Sequence, residues 1–319
     1  MRFILPAFLL LFSASAEPKI RSFHVDYEFV FNDYKPDVSA EMWVPLPHSD
    51  DYQIIKNLQI RSNARYEVKT AADGNVMAHI RLDYPVDATP NLLVSFDAER
   101  KEHLHSRLDG KAHLEKDDDP KVLAQYLKPD RLVPIDGKIR QWAQEVVDQA
   151  HAKTDLEMAR AIYNHVVATV KYDKTGKGWG RGDIYYACEE RRGNCTDFHA
   201  IFIGYARAMG IPARFAIGLP LPADRGEGKI AGYHCWAEFY AKGIGWVPVD
   251  ASEGAKNPAK RDYFFGAHDE NRIELSKGRD VILAPAQQGE PLNYFVYPYV
   301  EVAGKPVAVG WEVSYKDKP

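Results

Sequence analysis

Long apolar runs, clusters of basic residues, phosphate-cradling glycines and a disulfide framework are all missing from this 319-residue chain. Each absence excludes something. A helix that spans a bilayer needs about 20 apolar residues, and the longest apolar stretch, Phe3 to Phe12, falls well short of that. Lys and Arg are scattered, and the net charge is −4. Nucleic acid binding relies on clustered cations set against phosphates, so it is not expected. The segment from Lys174 to Asp183 has glycines on both sides of Trp179 but no phosphate-loop spacing, which sets nucleotide binding aside. Asp117-Asp118-Asp119-Pro120 is acidic, yet it lacks the alternating ligand positions and turn glycine of a calcium loop. No metal and no cofactor are therefore expected. Cysteine is scarce, with only Cys188, Cys195 and Cys235. Three thiols cannot all pair within one chain.

What is present begins with a leader. Arg2 supplies a positive start, Phe3 to Phe12 an apolar core, and Ala14-Ser15-Ala16 a small-residue cleavage pattern. Residues 1–16 are expected to be removed as a signal peptide, leaving a periplasmic or secreted protein with no membrane span. No cysteine lies near the cleavage site, which argues against a lipid anchor. In an oxidising compartment an idle thiol would be oxidised or paired, so an unpaired one calls for a chemical explanation.

Residues 17–105 read as an all-β domain. Phe23, Val25, Tyr27, Phe29 and Phe31 alternate along the first strand, and shorter alternating runs follow at 42–46, 58–60, 66–68, 76–82 and 92–96. Asp73-Gly74 marks a hairpin between two of them. This spacing predicts a β-sandwich. It carries no chemical motif and reads as a platform, or as a surface for a substrate or partner. Residues 106–120 are expected to be a charged linker, and residues 121–319 a second domain with C-terminal strands at 294–300 and 307–315.

In that second domain the period turns helical. One short helix carries Val122, Leu123, Tyr126 and Leu127, and a second places Ile139, Trp142, Ala143, Val146 and Val147 on one face. Thr154 and Glu157 make a capping box for a third. A fourth helix starts after the Gly193-Asn194 turn, with Phe198, Ile201, Phe202 and Tyr205 on one face, and stops at Gly210-Ile211-Pro212. Cys195 therefore occupies its first turn, where free N–H groups and the positive end of the dipole favour a thiolate. A cysteine that merely packs at a helix start fits this stretch equally well.

Further residues bear on that choice. Tyr233 to Tyr240 and Trp246 to Asp250 read as a hairpin, which puts His234 on one strand and Asp250 at the end of the next. Thiol, imidazole and carboxylate are the parts of an activated-cysteine site: His234 takes the proton, and Asp250 orients and charges the ring. Together Gly193 to Asp197, Ala206 to Arg214, His234 to Glu238 and Gly245 to Asp250 resemble the transglutaminase-like superfamily over about residues 120–260. The resemblance implies an α+β fold: a papain-like core of helices on an antiparallel sheet, behind the β-sandwich. It places a catalytic triad on Cys195, His234 and Asp250, with acyl transfer through a thioester. This chain departs from the family at Cys235, where a small residue such as alanine commonly follows the histidine. A side-chain oxyanion donor is expected from Trp179, Tyr172 or Tyr186, although Trp179 serves as well as a cleft wall.

Competing assignments use the same residues. His199 lies four positions after Cys195 on the same helix face, but no motif places a carboxylate beside it, so His234 is preferred as the base. Asp197 reads as a first-turn charge that suits the dipole. Strand neighbours point to opposite faces, so Cys235 should turn away from the side bearing His234. It could pair with Cys188 if the backbones came close. A zinc site of Cys188, Cys195, His199, His234 and Cys235 lacks paired-ligand spacing. The expected activity is hydrolysis of a peptide, protein or other amide substrate. Crosslinking to an amine acceptor and a non-catalytic binding protein on the same fold are the alternatives.

Overall fold

The structure is a computed structural model that describes residues 17–31, 38–82, 89–105, 108 and 119–319. The leader at 1–16 and most of the expected linker lie outside the described residues. The alternating N-terminal runs form β1 (Ile20–Val30), β2 (Ala40–Leu46), β3 (Gln53–Ser62), β4 (Tyr66–Thr70), β5 (Val76–Leu82) and β6 (Asn91–Lys101), followed by the short β7 (His103–Leu104). In β1 every second residue from Phe23 to Phe29 is buried, as the pleat requires when one face meets a core.

The helical period then yields α1 (Pro120–Gln125), α2 (Gly137–Gln149), α3 (Asp155–Thr169), α4 (Ile184–Glu190) and α5 (Cys195–Ala208). The short strands β8 (Lys171–Tyr172) and β9 (Arg192–Gly193) flank α4 and pair in parallel. The Thr154–Glu157 capping box starts α3, with both reciprocal bonds present. Beyond α5 come β10 (Ala213–Pro220), β11 (Glu227–Lys229), β12 (His234–Ala241), β13 (Gly245–Val249), α6 (Ala251–Lys256), β14 (Ala267–His268), β15 (Arg272–Lys277), β16 (Tyr299–Val302), β17 (Lys305–Val307) and β18 (Gly310–Asp317).

The molecule is α+β. A four-stranded antiparallel sheet, ordered β13-β12-β10-β15, carries the helices. The expected hairpin is there as β12 and β13. Gly218 sits opposite His234 where β10 also bends against β15. A side chain at Gly218 would place its Cβ only 1.8 Å from the Ile273 carbonyl oxygen. The absence of a side chain is what lets these strands close beside the histidine.

The C-terminal strands depart from expectation. Read from the sequence they belong with the second domain, but the whole of β18 pairs with β1 from Phe23 to Val30, and β16 pairs with β2. Two five-stranded sheets result, β11-β18-β1-β6-β3 and β17-β16-β2-β5-β4, each completed by the tail. Alternation shows that a strand exists and not which edge it joins, so this could not be read locally. The strand at the tail's start is also shorter than expected, beginning at Tyr299. β11, α4 and β15 all escaped the sequence reading.

Polar side chains tie the sandwich to the catalytic sheet. The buried Gln53 amide accepts from Glu274 N–H at 2.9 Å and donates to the Glu274 carbonyl at 3.1 Å. Asn75 does the same with Lys277, both at 2.8 Å. These amides satisfy backbone groups of β15 that would otherwise be buried without partners.

Candidate active site

Helix α5 has more than one apolar face: every residue from Cys195 to Ala208 is buried. A helix apolar all round belongs in the centre of a core. It packs between α2, α3, α4 and α6 on one side and β10 and β12 on the other. Its start is tightly specified. Asn194 Oδ1 accepts the Thr196 N–H at 2.9 Å, and Asp197 Oδ2 accepts the Asn194 N–H at 2.9 Å, which closes a capping box.

Asp197 does more than suit the dipole. Its carboxylate also accepts the Gly180 N–H at 2.6 Å and the Gly182 N–H at 3.0 Å, so it ties the Trp179 loop to the helix tip. Burial pushes its pKa up against these bonds. Gly193 is required beside it, since a Cβ there would lie 2.1 Å from Asp197 Oδ2.

The structure brings Cys195, His234 and Asp250 together. His234 Nε2 lies 2.7 Å from Asp250 Oδ2, which leaves Nδ1 to serve the Cys195 sulfur, and the ring and the sulfur each shift the other's pKa. Asp250 is fully buried and well satisfied. Oδ2 also accepts from Arg272 Nη1 at 2.9 Å, while Oδ1 accepts from the Ser252 hydroxyl and the Glu253 N–H at 3.0 Å each. Arg272, on β15, is itself buried, stacks over Trp236 at 5.0 Å and bonds Asp269 at 3.2 Å. Nothing in the sequence flagged it. Its signal is tertiary, because β15 enters the sheet only through β10.

The electrostatics follow from these partners. Burial opposes charge on His234, but Asp250 and the Cys195 sulfur outweigh it and push the imidazole up to about 10. Burial likewise opposes the Cys195 thiolate. Hydrogen bonds from Cys235 and His234, with the His234 charge, hold the thiol well below its ordinary value. Burial would also raise Asp250, but the His234 and Arg272 charges keep it far below the usual carboxylate range. These directions favour a thiolate–imidazolium pair with a carboxylate behind the ring.

His199 stands elsewhere in this network. It is fully buried, its Nε2 accepts the Ala251 N–H at 3.2 Å, and Asp250 Oδ1 is 3.7 Å away. Burial pushes its pKa down. The ring packs beneath the site in neutral form.

Cys235 turns as alternation predicts: His234 and Trp236 share one face with ring centroids 6.1 Å apart, while the Cys235 sulfur faces α5, 3.7 Å from Thr196 Oγ1 and from His199 Nδ1. From there the thiol helps to lower the Cys195 pKa, as His234 does. All three cysteines are free, and Cys188 contacts the Tyr205 hydroxyl at 3.4 Å.

A cavity of about 390 Å³ opens at Cys195, walled by Tyr172, Trp179, Tyr233, Tyr294 and Tyr297. A second, of about 600 Å³, shares Tyr172 and Tyr233 and reaches His234. Trp179 and Tyr172 are thus both at the cleft. Tyr186 instead packs against Gly178, where a Cβ would meet its ring at 2.7 Å. Tyr233 was missed: its hydroxyl lies 2.9 Å from both Asn194 Nδ2 and Thr196 Oγ1. Adjacency to His234 was the available clue.

Two groups of side chains outside the cleft have metal-ligand character: His103, Glu238 and His268, and His48, Asp50 and Glu274, with ligand atoms within 4.8 Å of one another in each. Neither includes Cys195, His234 or Asp250. Glu238 is already paired with Arg214, and Glu274 with Lys277.

The profile of the transglutaminase-like superfamily matches residues 140–251, which hold all three residues of the constellation. Its core is a transglutaminase-like domain. The whole chain resembles a Cytophaga hutchinsonii protein named as a candidate cysteine protease, with TM-score 0.60 and 14% identity over 94% of this chain and 92% of that one. At that identity the likeness concerns the fold, and it spans the sandwich as well as the transglutaminase-like domain. An uncharacterized protein of Haemophilus influenzae is 29% identical over 310 residues, covering 84% of this chain and 82% of its own. The periplasmic domain of TgpA from Pseudomonas aeruginosa matches more loosely, with TM-score 0.38 and 18% identity over 77% of this chain and 91% of that one. Among the described residues no helix is long and apolar enough to cross a membrane.

Proposed function

We propose that the protein is a cysteine-dependent acyl-transfer enzyme that hydrolyses a peptide or amide bond, working in the periplasm or outside the cell. The observation that carries this reading is the Cys195 thiol, its pKa lowered by His234, whose ring is bonded to Asp250 and through it to Arg272, opening on a cleft.

The roles follow from that order. The Cys195 thiolate attacks the amide carbon, and charge develops on the carbonyl oxygen. The Cys195 N–H at the helix start, next to the capped Thr196 N–H, is the backbone donor for that oxygen, and the Trp179 indole N–H is the side-chain candidate. The His234 imidazolium gives its proton to the leaving amine. The neutral ring then takes a proton from water as it attacks the thioester, which releases the acid and restores the thiolate. Asp250 holds the ring through Nε2 in both steps, and Arg272 and Ser252 hold Asp250.

The test is a panel of amide and peptide substrates offered with and without a primary amine, read by product mass, with Cys195→Ser as control. Hydrolysed product that disappears in Cys195→Ser supports the reading. Amine incorporated in place of water makes the protein a crosslinking enzyme. No acyl transfer across the panel, with Cys195 intact and reduced, makes it a binding protein on this fold.

A further inference from the structure

The resemblance leads one to expect a small residue after the active-site histidine, and here a thiol stands there. Cys235 is fully buried, and its sulfur lies 3.7 Å from Thr196 Oγ1 and 3.7 Å from His199 Nδ1. Those two residues follow Cys195 by one and four positions on α5, so the Cys235 thiol lies at the helix turn that carries the nucleophile, and each sulfur shifts the other's pKa, down for Cys195 and up for Cys235. A structural cysteine in a core commonly meets only carbon, whereas this one faces the nucleophile. Cys188, the remaining thiol, is occupied with Tyr205.

We propose that Cys235 is a resolving thiol, and that a hydroperoxide converts Cys195 and Cys235 into a reversible disulfide that shuts off and protects the active site. The proposal rests on the reading of Cys195 as an activated thiolate.

The chemistry balances. The Cys195 thiolate attacks one oxygen of the peroxide, the O–O bond breaks, and the departing hydroxide or alkoxide takes the His234 proton. Cys195 becomes a sulfenic acid, having lost two electrons to the peroxide. The Cys235 sulfur then attacks the Cys195 sulfur, the S–O bond breaks, and the hydroxyl leaves with the Cys235 proton as water. Both steps together consume two thiols and one peroxide. They yield one disulfide, one water, and one water or alcohol.

The Cys235 thiol already faces the turn of α5 that carries Cys195, so the second step asks only that the two sulfurs close to a covalent bond of about 2 Å. Burial and the neighbouring Cys195 keep Cys235 protonated at rest, so Cys195 is the sulfur that meets oxidant first. Without a neighbouring thiol, a sulfenic acid proceeds to sulfinic and sulfonic acids that thiols do not reverse. An exported enzyme with a thiolate nucleophile would meet that hazard constantly.

The test treats the reduced, purified mature protein with a small excess of hydrogen peroxide, then alkylates free thiols and maps peptides by mass. The expected wild-type result is loss of two hydrogen atoms and a Cys195–Cys235 crosslinked peptide. Cys188 remains alkylated, and dithiothreitol reverses the change. Cys235→Ala should instead gain oxygen on Cys195, with no recovery beyond the sulfenic stage. Wild-type Cys195 that gains oxygen without crosslinking, or that pairs with Cys188, overturns the proposal, whatever Cys235→Ala does. Alkylation of Cys195 at mildly acidic pH, measured beforehand, separates the two readings. A slow Cys195 sinks the activated thiolate itself, whereas a fast Cys195 with no crosslink sinks only the resolving role.

Discussion

Replacing His234 with alanine should strip Cys195 of its charge partner while leaving its position in α5 unchanged. The size of the effect can be worked out. At about pH 6 an ordinary thiol, with a pKa near 8.5, is only about 0.3% thiolate. A sulfur held almost wholly as thiolate has a roughly 300-fold advantage in reactive form. Thiolates of low pKa are weaker nucleophiles, and a Brønsted coefficient of about 0.5 takes back most of that advantage, leaving roughly 5-fold. Burial of Cys195 opposes the thiolate once His234 is gone, so the loss in His234→Ala should be at least that large. The assay is the rate of iodoacetamide labelling at Cys195, mapped by mass, from mildly acidic to alkaline pH. The wild-type rate should change little over the acidic and neutral range, whereas the variant's should climb with pH. Because the same sulfur is compared with itself, restricted access cancels. Equal rates for the two proteins at about pH 6 would refute the ion pair.

Arg272→Met keeps the volume and removes a buried cation from Asp250. Breaking a buried pair in this way costs about 3–5 kcal/mol, and denaturant unfolding should show a loss of at least about 3 kcal/mol, since His234 still pairs with the carboxylate. A change under about 1 kcal/mol would mean that Arg272 contributes little to the buried network. The raised pKa of His234 also predicts a pH dependence of stability. A group with a raised folded pKa contributes its full stabilisation below its unfolded value and loses it as pH rises through the folded value, here about 10. Cys195, held as a thiolate, offsets this until the unfolded thiol also ionises at about 8.5, so the unfolding midpoint should fall between about pH 8.5 and the folded value, and His234→Ala should flatten this decline. An unchanged wild-type midpoint would count against the imidazolium.

Much of the site was legible because its parts are local. The Gly193-Asn194 turn, the capping residues and the apolar spacing of α5 put Cys195 at a helix start without any long-range contact. The hairpin that carries His234 and Asp250 is a neighbouring pair of strands joined by a short turn, so its pairing could be anticipated. The apolar face read for α5 was too modest. Only packing on both sides explains why Thr196, His199 and Arg207 are buried along with the aliphatic residues. The same limit hid Tyr294 and Tyr297, which reach the cleft from a segment about a hundred residues after Cys195.

The chain's own pattern determined the β-rich start, the helical stretch after it, and the residue types that meet at the catalytic centre, because periodicity and caps act within a few neighbours. Tertiary structure alone decided that the last strands complete the first sheets, that Arg272 secures Asp250, and that Cys235 lies against Cys195. Strand edges, buried charges and sulfur contacts depend on which distant segments come to share a space, and a run of letters does not record that.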